Sequence, residues 1–303
     1  MIIIQRYKVW FAISIGIMIT GILALIFWGL PLGIDFKGGS TLELKYSKNI
    51  SYSTAQEALK DSGQKNLIIQ TTKQETVIIK TEELTKEKKD QIKDTLDAKV
   101  GESGQEIRFE NIGPTVGRDM QRKAIIAVIL ACFGIILYLA YAFRGVPAPA
   151  SSWRFGVCAV AALIHDTIIT IGMYSILAHF FGFEVDAYFI TALLTLLGFS
   201  VHDTIVVFDR IRENLIKTPQ NNFTGIVNDS IEQTIARSLN TSITVLIVLT
   251  ALLVLGGSSI RHFIAILIVG IIIGTYSSIF NASPLLYLWH EWSIRRVARK
   301  NAS

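Results

Sequence analysis

The stretch AYFITALLTLLGFSVHDTIVVF, residues Ala187 to Phe208, is long enough and apolar enough to cross a lipid bilayer. It nevertheless contains the carboxylate of Asp203. A charged side chain at the centre of a membrane helix costs about 2.5 to 3.5 kcal/mol on insertion scales, so it usually has a function and a partner. Arg237, just before the next apolar stretch, is the predicted partner. A purely structural carboxylate held by hydrogen bonds is the alternative.

The composition of the whole chain also indicates a membrane protein. Of its 303 residues, 51% are hydrophobic and only 17% are charged, which is more apolar surface than one soluble core needs. Six apolar segments reach the length of about 20 residues that one crossing requires. They are residues 9–30, 124–143, 155–181, 187–208, 239–255 and 263–288. We therefore predict an α-helical polytopic membrane protein with six transmembrane helices.

Basic residues in the short loops predict the orientation of these helices. Most of them fall on one side, namely Arg6, Lys8, Arg144, Arg154, Arg210, Arg212, Lys217, Arg237, Arg295, Arg296, Arg299 and Lys300, whereas the opposite short loops contain only Arg261. By the positive-inside rule, both termini of this multi-pass protein are predicted to be cytoplasmic. The net charge of +5 is explained by this topology. Since no aromatic-basic motif accompanies it, no nucleic-acid partner is predicted.

A polar segment between the first two crossings, residues 34–120, is rich in lysine, aspartate and glutamate. Its periodicity predicts strand Ser40–Tyr46, helix Thr54–Ser62, strand Asn66–Thr71, strand Glu75–Thr81, helix Leu84–Val100 and strand Gln105–Asn111, with Ser53 and Thr85 as caps. The order βαββαβ is that of an α+β ferredoxin-like domain. We therefore divide the chain into a cytoplasmic N-terminus with the first helix (1–33), a translocated ferredoxin-like domain (34–120), transmembrane helices two to six (121–290) and a basic cytoplasmic tail (291–303).

A four-residue sequence is repeated in the third and fourth crossings. The run His165-Asp166-Thr167-Ile168 reappears as His202-Asp203-Thr204-Ile205. Polar side chains in hydrocarbon must face the bundle interior or water, so His165, Asp166 and His202 are auxiliary candidates beside Asp203. For the histidines, an interior imidazole with local partners is the competing interpretation. Two His-Asp pairs resemble zinc ligands, but the chain lacks H-E-x-x-H and G-x-S-x-G, so neither a metal site nor a catalytic residue is predicted.

Two further patterns concern helix packing. In the sixth crossing, Gly270, Gly274 and Ser278 recur at intervals of four with Ala282, which predicts a stripe of small side chains that a second helix can approach closely. The segment Gly225–Ile235 is amphipathic and predicts an interfacial helix that leads into Arg237.

Several motifs together resemble the SecF members of the SecD/SecF family, which belongs to the resistance-nodulation-division superfamily. They are GIDFKGGS at Gly33–Ser40, GPTVG at Gly113–Gly117, GFSVHDTIVVFDRIREN at Gly198–Asn214, Arg237 followed by Asn240-Thr241-Ser242, and Gly256-Gly257. The resemblance covers nearly the whole chain. The run departs from the common pattern of the family at Phe199, His202, Thr204 and Phe208. A titratable His202 beside Asp203 is expected to alter the proton pathway or its pH dependence.

The resemblance implies a location, a function and a set of partners. The expected location is the bacterial plasma membrane, with the ferredoxin-like domain (34–120) in the periplasm. The expected function is to assist late, proton-motive-force-driven steps of protein export through the SecYEG channel, after the ATPase SecA has driven insertion. The expected partners are SecD, SecYEG, functionally SecA, the translocating unfolded polypeptide and, as a further candidate, YajC. The resemblance also implies that Asp203 and Arg237 form the proton-relay charge site, without cofactor or enzymatic bond-making. A lipid or drug exporter of the same superfamily and an intramembrane metal hydrolase are the alternatives.

Overall fold

The computed structural model describes residues 3–60, 67–71, 75–146, 151–217, 222–257 and 260–301, with side chains through residue 296. The described residues form two compact units. One unit takes its residues from Met1–Pro31, Ala127–Glu184 and Tyr188–Ser303, and the other from Leu32–Ile126 and Val185–Ala187.

The elements of the described residues come in the following chain order. After a short 3₁₀ turn at Ile4–Arg6 they are α1 (Tyr7–Trp28), α2 (Ile34–Lys37), β1 (Gly39–Lys45), α3 (Tyr52–Leu59), β2 (Ile68–Thr71), β3 (Thr76–Thr81), α4 (Lys86–Val100), β4 (Gln105–Ile112), α5 (Pro114–Ala142), α6 (Ser152–Phe181), α7 (Ala187–Lys217), α8 (Phe223–Leu255), α9 (Arg261–Ser277), a π-helical segment (Ser278–Ala282) and α10 (Ser283–Asn301).

The prediction of six membrane helices is confirmed. Within the described residues, the helices long and apolar enough to cross a bilayer are Ile4–Trp28, Pro114–Ala142, Ser152–Phe181, Ala187–Lys217, Phe223–Leu255 and Arg261–Arg296. Large apolar side chains of α1, α5 and α8 are exposed, among them Ile26, Leu130 and Ile247. Exposed apolar surface of this extent is unusual for a soluble protein and is expected where helices face lipid.

The helices run further than the apolar segments that predicted them. Helix α7 continues past Phe208 to Lys217, and α8 is a single helix from Phe223 to Leu255. The predicted segment Gly225–Ile235 is helical and leads into Arg237, but it is the first part of α8 and not an interfacial helix, because Ile226, Val227 and Ile231 are buried in the core of the membrane unit. Hydropathy marks only the part of a helix that lies in lipid, whereas the backbone hydrogen-bond ladder continues into water.

Aromatic side chains dominate one end of that core. The rings of Phe155 and Phe208 meet edge to face with their centroids 5.2 Å apart, and Phe143 packs against both at 5.6 and 5.7 Å. All three side chains are almost completely buried. This cluster joins α6 and α7 near the end of α5.

The second unit is built on a four-stranded antiparallel sheet with the strand order β2-β3-β1-β4. Strand β1 is central, with Ser40 opposite Thr81 on β3 and opposite Asn111 on β4. Helices α3 and α4 add a core that includes Leu44, Ile79 and Leu96. The element order βαββαβ, together with this strand order, confirms the α+β ferredoxin-like prediction.

Some predicted boundaries differ from the observed ones. The cap of α3 is Ser51, whose hydroxyl accepts a hydrogen bond from the N–H of Thr54 at 3.1 Å, so the prediction of Ser53 is wrong. Thr85 precedes α4 as predicted, without a capping bond from its side chain. The predicted helix end at residues 61–62 and strand start at residue 66 lie outside the described residues. The division at residues 33, 120 and 290 stays a prediction; residues 120 and 290 fall inside α5 and α10.

Candidate intramembrane polar site

Asp203 lies in the interior of the membrane unit, where only 2% of its surface is exposed. The hydroxyl of Thr275 on α9 donates a hydrogen bond to Asp203 Oδ2 at 3.2 Å. Thr275 Oγ1 is also 2.6 Å from Ser242 Oγ on α8. Because a hydroxyl has only one hydrogen, Thr275 accepts from Ser242 while it donates to Asp203. Polar groups of α7, α8 and α9 therefore meet at this carboxylate.

Asp166 on α6 is a second buried carboxylate, with 4% of its surface exposed. Its Oδ2 accepts a hydrogen bond from Ser200 Oγ at 2.5 Å, and its Oδ1 lies 2.8 Å from His165 Nδ1. Asn281 donates its side-chain N–H to His165 Nε2 at 3.4 Å. Since Nε2 accepts this bond, the arrangement fits a neutral imidazole with its hydrogen on Nδ1, directed at Asp166.

The polar side chains continue from Asn281 to α1. Asn281 Oδ1 accepts a hydrogen bond from Ser14 Oγ at 2.9 Å, and Ser14 Oγ lies 3.3 Å from the hydroxyl of Tyr276. Asn281 belongs to the π-helical segment, and π-bulges occur frequently at functional sites. The chain of contacts from Ser14 to Ser200 thus links α1, α6 and α7 through the sixth crossing.

The predicted stripe of small residues lies against α7. A Cβ atom added to Gly274 would be 3.1 Å from the Cβ of Ser200, and one added to Gly270 would overlap the side chain of Leu196. One turn further, Ser278 Oγ is 2.9 Å from Thr204 Oγ1. Small side chains at these positions let α9 and the π-helical segment approach the face of α7 that carries Ser200 and Thr204.

The structure does not bring Arg237 and Asp203 together. The Arg237 side chain is exposed on α8, and among the described residues the ion pairs include none between it and Asp203. His202 is also exposed, because neighbouring positions on a helix point about 100° apart. The predicted direct ion pair is therefore not formed in this single chain. The functional roles of the two residues stay predictions.

The glycine-rich run at Gly33–Ser40 contacts Ala187 and Pro114 within the second unit. Asp35 Oδ2 accepts a hydrogen bond from the N–H of Ala187, the first residue of α7, at 2.8 Å. Gly38 has a φ of +81°, a conformation that residues with a Cβ rarely adopt, and an added Cβ would be 2.9 Å from the Cα of Pro114. The run therefore caps α7 and fits closely against the start of α5.

Comparison with known proteins assigns this arrangement to a family. Residues 91–292 match the family described as protein export membrane protein SecD/SecF, C-terminal, and residues 24–50 match the SecD/SecF GG motif. The chain belongs to the SecD/SecF protein export family. The GG motif corresponds to Gly38 and Gly39, and the C-terminal match covers Asp166, Asp203 and Arg237.

Full-length relatives carry one recurring name within the SecD/SecF family. The chain is 42% identical to the protein translocase subunit SecF of Thermobaculum terrenum over 99% of its own length and 98% of the relative's. It is 40% identical to that of Anaerolinea thermophila over 98% and 96% of the two lengths. A crystal structure of SecDF from Thermus thermophilus, a translocon-associated membrane protein, superimposes with a TM-score of 0.82 at 33% identity. That match covers 94% of this chain and 38% of the SecDF chain.

Sequence reasoning missed several members of the polar site. Asn281 is an amide in an apolar crossing, so the rule that singled out Asp203 would also have found it. Ser14, Ser200, Ser242 and Thr275 leave no such signal, because isolated hydroxyls are common in membrane helices and often bond to their own helix. Among the described residues, no group of three or more His, Cys, Asp or Glu side chains is arranged to hold a metal ion.

Proposed function

We propose that this chain acts as the SecF subunit of the Sec translocase and assists the late, proton-motive-force-driven steps of protein export. One observation carries the proposal: Asp203 is buried inside a six-helix membrane unit and is held by a hydroxyl. Among the described residues it has no cation within ion-pair distance. A carboxylate in that position changes the electrostatics of the bundle whenever it gains or loses a proton.

Protonation of Asp203 would bias the packing of α7 against α9. Ionised Asp203 accepts hydrogen bonds and requires compensation for its charge, whereas the protonated acid is neutral and also donates. Gly270 and Gly274 have no side chains that could interlock with those of α7. Helix α7 is therefore able to move along α9 at this contact. Moving one charge through 100 mV provides about 2.3 kcal/mol, which biases a two-state equilibrium about fiftyfold.

Arg237 would act as a fixed counter-ion in a second arrangement of the helices. Its guanidinium keeps its charge at any accessible pH. It is exposed on this single chain, as is His202 beside Asp203. We therefore propose that a SecD chain covers this surface and that the Asp203–Arg237 attraction operates in the assembled complex, where it weakens when Asp203 is protonated.

Asp166 and His165 would form an auxiliary proton site. Asp166 is connected to α7 through Ser200, which stands three positions before Asp203. The imidazole of His165 contacts Asp166 and Asn281, and of these two only the Asp166 carboxyl is able to exchange a proton with it. A movement of α7 would therefore affect both carboxylates, Asp203 directly and Asp166 through Ser200.

The relatives' names support the translocase assignment and a non-enzymatic role. They are protein translocase subunits, and SecDF is described as translocon-associated. We propose SecD as the direct partner, with SecYEG, SecA and YajC as further members of the assembly and no cofactor. In the bacterial plasma membrane, both termini would be cytoplasmic, and the ferredoxin-like domain would be periplasmic and would handle the emerging unfolded polypeptide.

Replacement of Asp203 by Asn tests the proposal most directly. Asn has nearly the same shape and accepts the Thr275 hydrogen bond, but it does not ionise, so the protein should fold and accumulate. We expect inverted vesicles with Asp203→Asn to lose the response of preprotein transport to a proton gradient after ATP-driven insertion is halted. Asp209→Asn is the control, because the Asp209 side chain lies on the same helix and is 67% exposed. A normal gradient response in the Asp203→Asn vesicles would remove Asp203 from the mechanism.

A further inference from the structure

An open groove runs between the end of α5 and the beginning of α6. Its volume is about 660 Å³. The walls are almost entirely apolar and consist of Ile136, Leu139, Ala140, Gly156, Val157 and Val160. A Cβ atom added to Gly156 would meet no other atom within 4 Å, so the groove is open at this glycine. Both helices belong to the membrane-spanning set, and the groove therefore faces the bilayer.

One end of the groove carries a positive charge. Arg144 is exposed there, and its guanidinium carbon lies 4.0 Å from the centre of the Tyr141 ring. One of its nitrogens donates to the Tyr141 hydroxyl at 3.2 Å. In the part of the chain that the structure describes, Arg144 has no acidic partner. The aromatic ring holds the guanidinium in place and, as far as the described residues are concerned, leaves most of its five N–H donors without a partner.

The same end has the features of a membrane–water interface. Trp153 lines the groove, is 58% exposed, and meets Trp289 edge to face at 4.8 Å. Tryptophan is enriched at the level of the lipid headgroups. Ser152 accepts a hydrogen bond from the N–H of Val146 at 3.0 Å and so fixes the chain where α6 begins. The apolar part of the groove thus points into the hydrocarbon, while Arg144 lies at headgroup depth.

We propose that this groove binds one anionic phospholipid. An acyl chain lies along the apolar wall, and the phosphate accepts hydrogen bonds from Arg144. Guanidinium and phosphate match in charge and geometry, and basic pockets between membrane helices are recognised sites for anionic headgroups. A zwitterionic lipid fills the same apolar wall but carries a cation that Arg144 repels. The site is separate from Asp203 and does not depend on the proposed translocase role.

Native mass spectrometry of the full chain in mild detergent tests the site. The chain is titrated with phosphatidylglycerol and, separately, with phosphatidylcholine of identical acyl chains. We expect phosphatidylglycerol to bind about tenfold more tightly to one site, because its headgroup has no cation to offset the attraction between the phosphate and Arg144. Arg144→Gln should abolish this preference. Arg295→Gln is the matched control and should keep it, because Arg295 is also exposed but lies outside the groove.

A second pair of variants tests the location. Gly156→Leu fills the groove and should remove the tight site for phosphatidylglycerol. Gly134→Leu should leave it, because Gly134 of α5 is equally open but does not line the groove. Equal affinities for the two lipids in the unmodified protein, or an unchanged preference in Arg144→Gln, would overturn the proposal. So would a Gly156→Leu chain that keeps its lipid and loses co-purified SecD, since the groove would then be an interface between chains.

Discussion

Ser200 on α7 donates a hydrogen bond to Asp166 on α6, with 2.5 Å between Ser200 Oγ and Asp166 Oδ2. The same helix carries Asp203 one turn later, where Thr275 of α9 donates to its carboxylate. Helix α7 therefore provides one buried carboxylate and the hydroxyl donor of the other. A displacement of α7 changes the hydrogen bonding of both acids at once.

Ser200→Ala should weaken the contact between α6 and α7. The change leaves Asp166 Oδ2 without its donor in a buried position, which costs about 1 to 3 kcal/mol. We expect a lower Tm for the purified chain in detergent and slower gradient-driven export. Thr195→Ala on the exposed face of α7 is the control, because Thr195 donates only to the carbonyl of Thr191 in its own helix. Equal Tm values for the two variants would contradict a stabilising role of the Ser200–Asp166 bond.

Arg237→Met should impair export without impairing folding. The side chain is exposed on this chain, so its removal should leave the Tm and the amount of protein in the membrane unchanged. If Arg237 is the counter-ion in the complex, export should fall about tenfold, the effect of losing about 1.4 kcal/mol from a two-state bias. Growth in the cold and preprotein transport measure this effect, and Arg295→Met is the comparison. Wild-type transport by an Arg237→Met protein that accumulates normally would disprove the assigned role.

Gly274→Leu should disrupt the packing of α9 on α7. A Cβ atom there would be 3.1 Å from the Cβ of Ser200, and a larger side chain should cost about 1 to 3 kcal/mol through overpacking. We expect a reduced Tm and a lower yield of the complex with SecD in detergent pull-downs. Gly198→Leu on α7 should be tolerated, because nothing lies within 4 Å of its added Cβ. Similar behaviour of the two variants would show that close approach at Gly274 is not required.

Asp35→Asn should increase stability near neutral pH. The pKa of Asp35 is raised by burial, against the lowering effect of the hydrogen bond from Ala187, and Asp186 and Glu110 raise it further. The folded state therefore holds this proton more tightly than the unfolded state. Its contribution to stability is full below the unfolded pKa, about 3.9, and is lost as the pH rises through the higher folded pKa.

The pH dependence of melting measures that effect. Asn keeps the acceptor for the Ala187 N–H without the charge, so Asp35→Asn should melt above the unmodified protein at pH 7, with the gap closing towards pH 4. Asp35→Ala removes both the charge and the acceptor and should be less stable than Asp35→Asn by about 1 kcal/mol at both pH values. Asp119→Asn, which changes an exposed carboxylate paired with Lys123, is the control. If the difference in Tm between Asp35→Asn and the unmodified protein grew on acidification, the pKa of Asp35 would be lowered and not raised by folding.

Much of the architecture could be predicted because its causes are local. A run of apolar residues such as Ala187–Phe208 is a membrane helix in any arrangement of its neighbours, since lipid requires every backbone group to bond within the helix. The alternation of side chains around Ser40 and Gln105 similarly predicts strands. Helix ends were less predictable: hydropathy stops at the edge of the membrane, whereas α7 continues to Lys217.

The polar site was predictable in its ionisable and amide members but not in its hydroxyl members. Asp203 and Asp166 are conspicuous because a carboxylate in hydrocarbon is costly wherever it stands. Their partners are not conspicuous. Charge complementarity alone favoured Arg237 as the partner of Asp203, and the structure instead places the hydroxyl of Thr275 there and leaves Arg237 exposed.

The sequence by itself determined that this chain has six membrane helices, a ferredoxin-like domain between the first two, and buried carboxylates on the third and fourth. These properties depend on the solvation of each segment and on its own backbone geometry. Only the tertiary structure decided that Ser200 donates a hydrogen bond to Asp166, that Thr275 donates one to Asp203, and that Asn281 is hydrogen-bonded to both His165 and Ser14. Such pairs are distant in sequence, 72 residues apart for Thr275 and Asp203. They form because small residues on α9 let it lie against α7, and the resulting crossing geometry determines which hydroxyl comes within hydrogen-bonding distance of which carboxylate.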